Sequence, residues 1–112
     1  MTRAAPAVGN KYRAVRVPCG DHAHASKLER ARCFVLTLQE QRGEIHDLRR
    51  QTRWPLEVNG HLVCTYVSDF DYADSDWRPV VEDTKGVRTR EYVLKRKLML
   101  ACRGITIREI DR

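Results

Sequence analysis

The sequence predicts an α/β fold: a mixed sheet flanked by helices, in the order helix, three antiparallel strands, helix, strand. Three observations carry that expectation. Apolar residues recur at helical spacing in two separate stretches. An Asn59-Gly60 pair stands between two strand-like runs, a strong two-residue hairpin signal. A short apolar run at Val80-Val81 follows a polar turn and leads into the second helical stretch. A chain of 112 residues suits one domain with a real but modest core.

Met1 to Val17 holds Arg3, Lys11, Arg13 and Arg16 and no acid, so it reads as a basic, flexible arm ahead of a domain covering 18–112. Cys19, His22 and His24 sit around Gly20, but their spacing matches no zinc pattern and reads as a turn. Ser26 to Gln41 is the first predicted helix. Ser26-Lys27-Leu28-Glu29 is a capping box, and Gly43 stops the helix. Leu28, Ala31, Val35 and Leu38 are expected to face the sheet. Trp54 to Val58 and His61 to Tyr72 form the hairpin around Asn59-Gly60, with Pro55 marking an edge position or a strand start. Val80 to Lys85 is the third strand and Thr89 to Cys102 the second helix. Leu94, Leu98 and Ala101 centre the apolar face of that helix, and Tyr92, Arg96 and Met99 fall on its far side. Ile105 to Ile110 closes the chain as a short strand. Trp54, Tyr66, Phe70, Tyr72 and Trp77 read as core or edge packing.

The net charge of +6 favours an anionic partner, nucleic acid ahead of an anionic membrane surface. No run is long and apolar enough to span a bilayer, and no continuous apolar stretch near the N-terminus marks a secretory signal. Cys19, Cys33, Cys64 and Cys102 lack paired short spacings and read as reduced thiols of a cytoplasmic protein or as small core residues, not as zinc ligands or a disulfide frame.

The chemistry centres on two strands. Side chains alternate along a strand, so Asp83 and Lys85 share a face with Val81, and Asp69 shares one with Val67, Thr65 and Val63. A turn centred near Asp76 sets Asp69 directly across from Asp83. Facing carboxylates repel, and a divalent cation between them removes that cost. A lysine on the same face then suits metal-dependent hydrolysis of a phosphate ester. Glu82 points to the opposite face and reads as a structural charge, unless a register slip or bulge exchanges the two acids.

Asp69 followed by Asp83-Thr84-Lys85 resembles the signature of the PD-(D/E)XK nuclease superfamily. Ser26-Lys27-Leu28-Glu29-Arg30, Gly43-Glu44-Ile45, Tyr66-Val67-Ser68-Asp69-Phe70, Val81-Glu82-Asp83-Thr84-Lys85-Gly86 and the run Glu91 to Leu98 occur in order. Together, over roughly Asn10 to Ile110, they are similar to an uncharacterised family of small phage and prophage proteins placed in that superfamily. One departure is Ser68, where the superfamily signature has proline before the aspartate.

The resemblance implies a restriction-endonuclease-like core and a Mg²⁺- or Mn²⁺-dependent DNA endonuclease of phage or prophage origin. Such an enzyme would act in the host cytoplasm, as a homodimer or beside phage recombination or packaging proteins, on branched or processed DNA. Asp69, Asp83 and the Thr84 carbonyl would hold the cation, and Lys85 would assist the attacking water or the charged transition state. Glu29 has two readings: it caps the helix, or it joins the metal shell. Lys97 either snorkels out of the apolar arc or points to the phosphate. Arg88, Arg90, Lys95 and Arg96 are either a phosphate-tracking surface or an ordinary solvated face. The resemblance also singles out Gln51, for which the sequence offers no mechanism. The alternative function is a nuclease-like module that binds DNA or a protein without catalysis.

Overall fold

The computed structural model of the protein describes residues 26–85 and 87–111. The predicted arm and the Cys19, His22, His24 turn lie outside the described residues. The elements are α1 (Lys27–Gln41), β1 (His46–Val58), β2 (His61–Ala73), β3 (Pro79–Thr84), α2 (Arg90–Arg103) and β4 (Arg108–Ile110). The sheet order is β1-β2-β3-β4. The β1, β2 and β3 strands pair antiparallel, and β4 pairs parallel to β3, so the sheet is mixed. A parallel neighbour needs a crossover, which α2 supplies.

Local chemistry sets the element ends. The Ser26 hydroxyl accepts from the Glu29 N–H at 3.0 Å, and the Thr89 hydroxyl accepts from the Tyr92 N–H at 3.1 Å. Each cap is worth on the order of 1 kcal/mol. Gly104 ends α2 in the left-handed region, with its N–H on the Leu100 carbonyl and the Ile105 N–H on Met99. Asn59 and Gly60 both take positive φ, 52° and 81°, as a two-residue turn matched to strand twist requires. Pro55 lies on the edge strand, yet β1 starts nine residues before it, at His46. The start escaped sequence reading because Arg49, Arg50 and Arg53 break any apolar alternation there.

The two helices cover opposite faces of the sheet. Cys33 and Leu36 of α1 pack with Ile45, Leu48, Phe70 and Tyr72. Tyr92 and Met99 of α2 pack with Leu56, Tyr66, Val81 and Ile107. Both helices are rotated from the expected orientation. In α1 the sheet-facing residues are Glu29, Cys33 and Leu36, while Ala31, Val35 and Leu38 are exposed. In α2 Tyr92 and Met99 are buried, Leu98 is partly buried, and Leu94 and Ala101 are exposed. Charge pairing explains the rotations. Arg32 of α1 binds buried Glu82 across the sheet, and Tyr92 and Arg96 of α2 bind Glu109. Apolar periodicity alone ignores such anchors.

Of the two readings of Trp77, edge packing holds: it is 60 % exposed and stacks on His46 of edge strand β1, with ring centroids 3.9 Å apart. Cys33 is a small buried core residue, but it is disulfide-bonded and not a reduced thiol; Cys64 and Cys102 are free. No helix among the described residues is long and apolar enough to cross a membrane.

Candidate functional site

The β1-β2 hairpin contains a change of phase that shapes the site. Tyr66 and Phe70 are four residues apart and would share a face in a regular strand. Tyr66 instead packs under α2 and Phe70 under α1. The partner strand changes at the same level. Arg50 reaches Cys33 of α1, whereas Thr52 bonds Asp71 on the α2 face. Between them Gln51 takes φ 57°, in the left-handed region. The register runs unchanged from Arg49↔Asp71 to Leu56↔Cys64, with Gln51 and Asp69 the unpaired position inside it. Asp69 is therefore the turning point of β2. Strict alternation, which sets it on the face of Val67, Thr65 and Val63, ends at this residue.

Phe70 pairs with Glu82, so one step further along the ladder Asp69 stands opposite Asp83. The Oδ2 atom of Asp69 accepts from both the Thr84 N–H at 2.8 Å and the Thr84 hydroxyl at 2.7 Å. Asp83 is 3 % exposed. Its Oδ2 accepts from the Tyr66 hydroxyl at 2.7 Å and lies 3.2 Å from Lys85 Nζ. Burial, together with a hydrogen bond to Asp69 and the charge of Asp69, pushes the Asp83 carboxyl up to about 7, against the smaller opposing pull of Tyr66 and Lys85. Lys85 follows the end of β3 and is fixed by its N–H on the Ile110 carbonyl at 3.0 Å.

Glu29 approaches from α1. It is nearly buried, and burial followed by the charge of Asp69 pushes its carboxyl up to about 7. The same carboxylate accepts from the Ser26 backbone, so the capping box is reciprocal. It also accepts from Gln51 Nε2 at 3.4 Å, a long contact. One rotamer thus caps the helix and brings Glu29 near Asp69. The left-handed Gln51, left without a mechanism by the sequence, is what reaches Glu29 at this turning point.

A cleft of about 690 Å³ opens beside the cluster, lined by Ser26, Lys27, Leu28, Thr84, Lys85, Arg88 and Asp111. The basic residues expected to track phosphate are divided. Arg88 pairs with Glu109 and Asp111, Arg96 with Glu109, and Lys95 with Glu91. Arg90 is exposed at the start of α2. Lys97 is exposed on the outer side of α2, not beside the sheet, because the helix is turned to seat Tyr92 and Met99. The residues that sequence reasoning missed are Tyr66, which bonds Asp83, and Tyr92, whose ring lies under Lys85 Nζ at 4.0 Å. Apolar periodicity puts Tyr92 on the far side of its helix, whereas it is buried against the sheet. Thr89 marks the helix start but carries no signal for its rotation, which Glu109 sets from β4.

Oxygen donors alone form the cluster, as hard divalent cations prefer. Burial first, and the neighbouring Asp69 second, raise both Asp83 and Glu29 to about 7. Asp69, Asp83 and Glu29 therefore fit a divalent cation chemically. Among the described residues, no group of three His, Cys, Asp or Glu side chains is drawn together closely enough to hold a metal ion.

The fold and the cluster define an α/β domain with opposed acids, buried Asp83 and half-buried Asp69, on neighbouring strands. The chain belongs to the family described as "Protein of unknown function (DUF1064)", which matches residues 9–108. No curated protein and no solved structure matches it significantly.

Proposed function

We propose that this chain is a divalent-metal-dependent DNA endonuclease with a restriction-endonuclease-like core. One observation carries the reading. Asp69 and Asp83 stand opposite each other on neighbouring strands, Lys85 Nζ lies 3.2 Å from Asp83, and Glu29 of α1 lies near enough to Asp69 to feel its charge. Opposed carboxylates cost a fold stability, and a buried acid held against a like charge is characteristic of a functional site. The element order, with its parallel fourth strand, agrees with that core.

Asp69 and Asp83 would hold Mg²⁺ or Mn²⁺, with the Thr84 carbonyl and Glu29 at its periphery. When bound, such a cation supplies charge stabilisation and a more acidic water. The protein's own groups do the rest. The Thr84 N–H and hydroxyl fix Asp69 in one orientation, and Tyr66 fixes Asp83. Lys85 lies where it can steady negative charge gathering on the phosphate oxygens as water adds to phosphorus and the ester oxygen leaves with the proton. Lys27 and Lys85 line the neighbouring cleft and would draw in the DNA backbone. A domain this small does not enclose duplex DNA, so a homodimer, or action beside phage recombination or packaging proteins, belongs to the proposal. Branched DNA enters only by analogy with small junction resolvases.

Cleavage of linear and branched DNA, with matching RNA, in Mn²⁺ is the test. Asp83→Asn is expected to lower the single-turnover rate by on the order of 100-fold or more while DNA affinity in Ca²⁺ persists. DNA binding without cleavage of any substrate by the wild type would replace this reading with that of a binding module.

A further inference from the structure

We propose that Tyr92 is the positioning residue for Lys85: its ring face carries the ammonium and sets it beside Asp83. The catalytic consequence of this rests on the nuclease reading; the placement of Lys85 does not.

Lys85 Nζ lies 4.0 Å from the Tyr92 ring centroid and 3.2 Å from Asp83 Oδ2. A cation over an aromatic face is attracted by the ring quadrupole, more strongly once desolvated. Lys85 is mostly buried, with its side chain 21 % exposed. A lysine stem has four rotatable bonds, so one ion pair to a carboxylate leaves its head group many orientations. The ring removes most of them. The same Asp83 Oδ2 accepts from Tyr66, so two tyrosines bracket the acid–lysine pair from both ends.

The ring itself is held. The Tyr92 hydroxyl donates to Glu109 Oε2 at 2.6 Å. Arg96 donates to the same oxygen at 2.7 Å, and Arg88 donates to Oε1 at 2.9 Å. Glu109 lies on β4, which pairs with β3 at Asp83. Its negative end thus stays ionised and fixed, and it anchors the hydroxyl at the far edge of the ring. Arg88 and Arg96 serve this anchor, which accounts for two basic residues that the sequence suggested for phosphate contact. A purely structural role would need only an apolar side chain of this size among Tyr66, Val81 and Met99. The hydroxyl network and the ammonium on the ring face go beyond that need.

The test uses metal-free protein with labelled lysines, the Lys85 signal being assigned through Lys85→Arg. Protons above an aromatic face are displaced upfield by the ring. The Lys85 side-chain protons should show that displacement in wild type and in Tyr92→Phe, and lose it in Tyr92→Leu. Should Tyr92→Leu fail to fold, phenylalanine and its fluorinated forms at position 92 keep the shape and weaken the ring quadrupole stepwise. Across that series the single-turnover cleavage rate should fall by about tenfold, without a matching loss of melting temperature. A wild-type Lys85 signal without displacement, or a rate flat across the series, overturns the inference. A displaced signal in a protein that cuts no nucleic acid upholds the placement of Lys85 and counts against the nuclease reading instead.

Discussion

Glu82 and Asp83 are neighbours on β3, equally buried and of the same charge type, and the sheet separates them onto opposite faces. Glu82 is closed on all sides. Arg32 donates two hydrogen bonds to it at 2.8 and 2.7 Å, Tyr72 donates a third, and Arg108 lies 3.9 Å away. Asp83 has Tyr66 and Lys85, but its third neighbour is the like-charged Asp69. Burial alone does not tell a structural acid from a chemical one. The difference lies in whether the surrounding set neutralises the charge or leaves some of it over.

The largest effect should come from opening the closed site. Glu82→Ala leaves Arg32 without its carboxylate and should cost about 3–5 kcal/mol in urea unfolding. Asp83→Asn should cost far less, because it removes a repulsion along with an acceptor. If the two variants lose equal stability, the comparison fails.

The next effect is a pH dependence peculiar to the open site. The carboxyls of Asp83 and Glu29 are raised to about 7 in the folded chain from ordinary values of 3.8 and 4.5. The folded protein then holds protons that the unfolded chain has already released, so stability falls as pH rises. That contribution is fully present below about 3.8 for Asp83 and 4.5 for Glu29, and is lost as pH rises through about 7. Glu109 acts in another window. Despite burial, hydrogen bonds from Tyr92, Arg96 and Arg88 hold it down to about 2, so its contribution is lost only as pH falls below about 4.5 toward that value. Melting curves of metal-free protein from pH 4.5 to 8 should therefore slope downward. Asp83→Asn should flatten that slope, and Mn²⁺ at pH 8 should reverse the loss. A wild-type melting temperature that rises over the same range would refute the assignment.

The smallest effect separates the two duties of Glu29. Glu29→Gln keeps an acceptor for the Ser26 backbone and should change stability in chelator by within about 0.5 kcal/mol. The stabilisation gained from Mn²⁺ should shrink. An undiminished Mn²⁺ response would leave Glu29 as a helix cap alone.

Much of this was legible in the chain. Ser26, Thr89 and Asn59-Gly60 announce their caps and turn through side-chain and backbone chemistry that acts over three or four residues. The turn centred near Asp76 was enough to place Asp69 against Asp83. What escaped was set by longer-range partners. The rotation of α1 depends on Glu82, fifty residues from Arg32, and that of α2 on Glu109. Apolar periodicity pointed both helices the wrong way and carried Lys97 into the site and Tyr92 out of it. The phase change at Gln51 and Asp69 was hidden because it involves neither glycine nor proline.

That phase change also decides what could be transplanted. A strand is commonly treated as a ruler whose alternate marks face one way, so grafted residues are chosen by parity. Here the ruler is cut and rejoined half a period out of step, on both strands at one level. Residues 49–54 and 66–71 therefore travel as one cassette. Moving Asp69 alone onto a regular hairpin would preserve its distance from the strand end and reverse the side from which Tyr66 reaches Asp83.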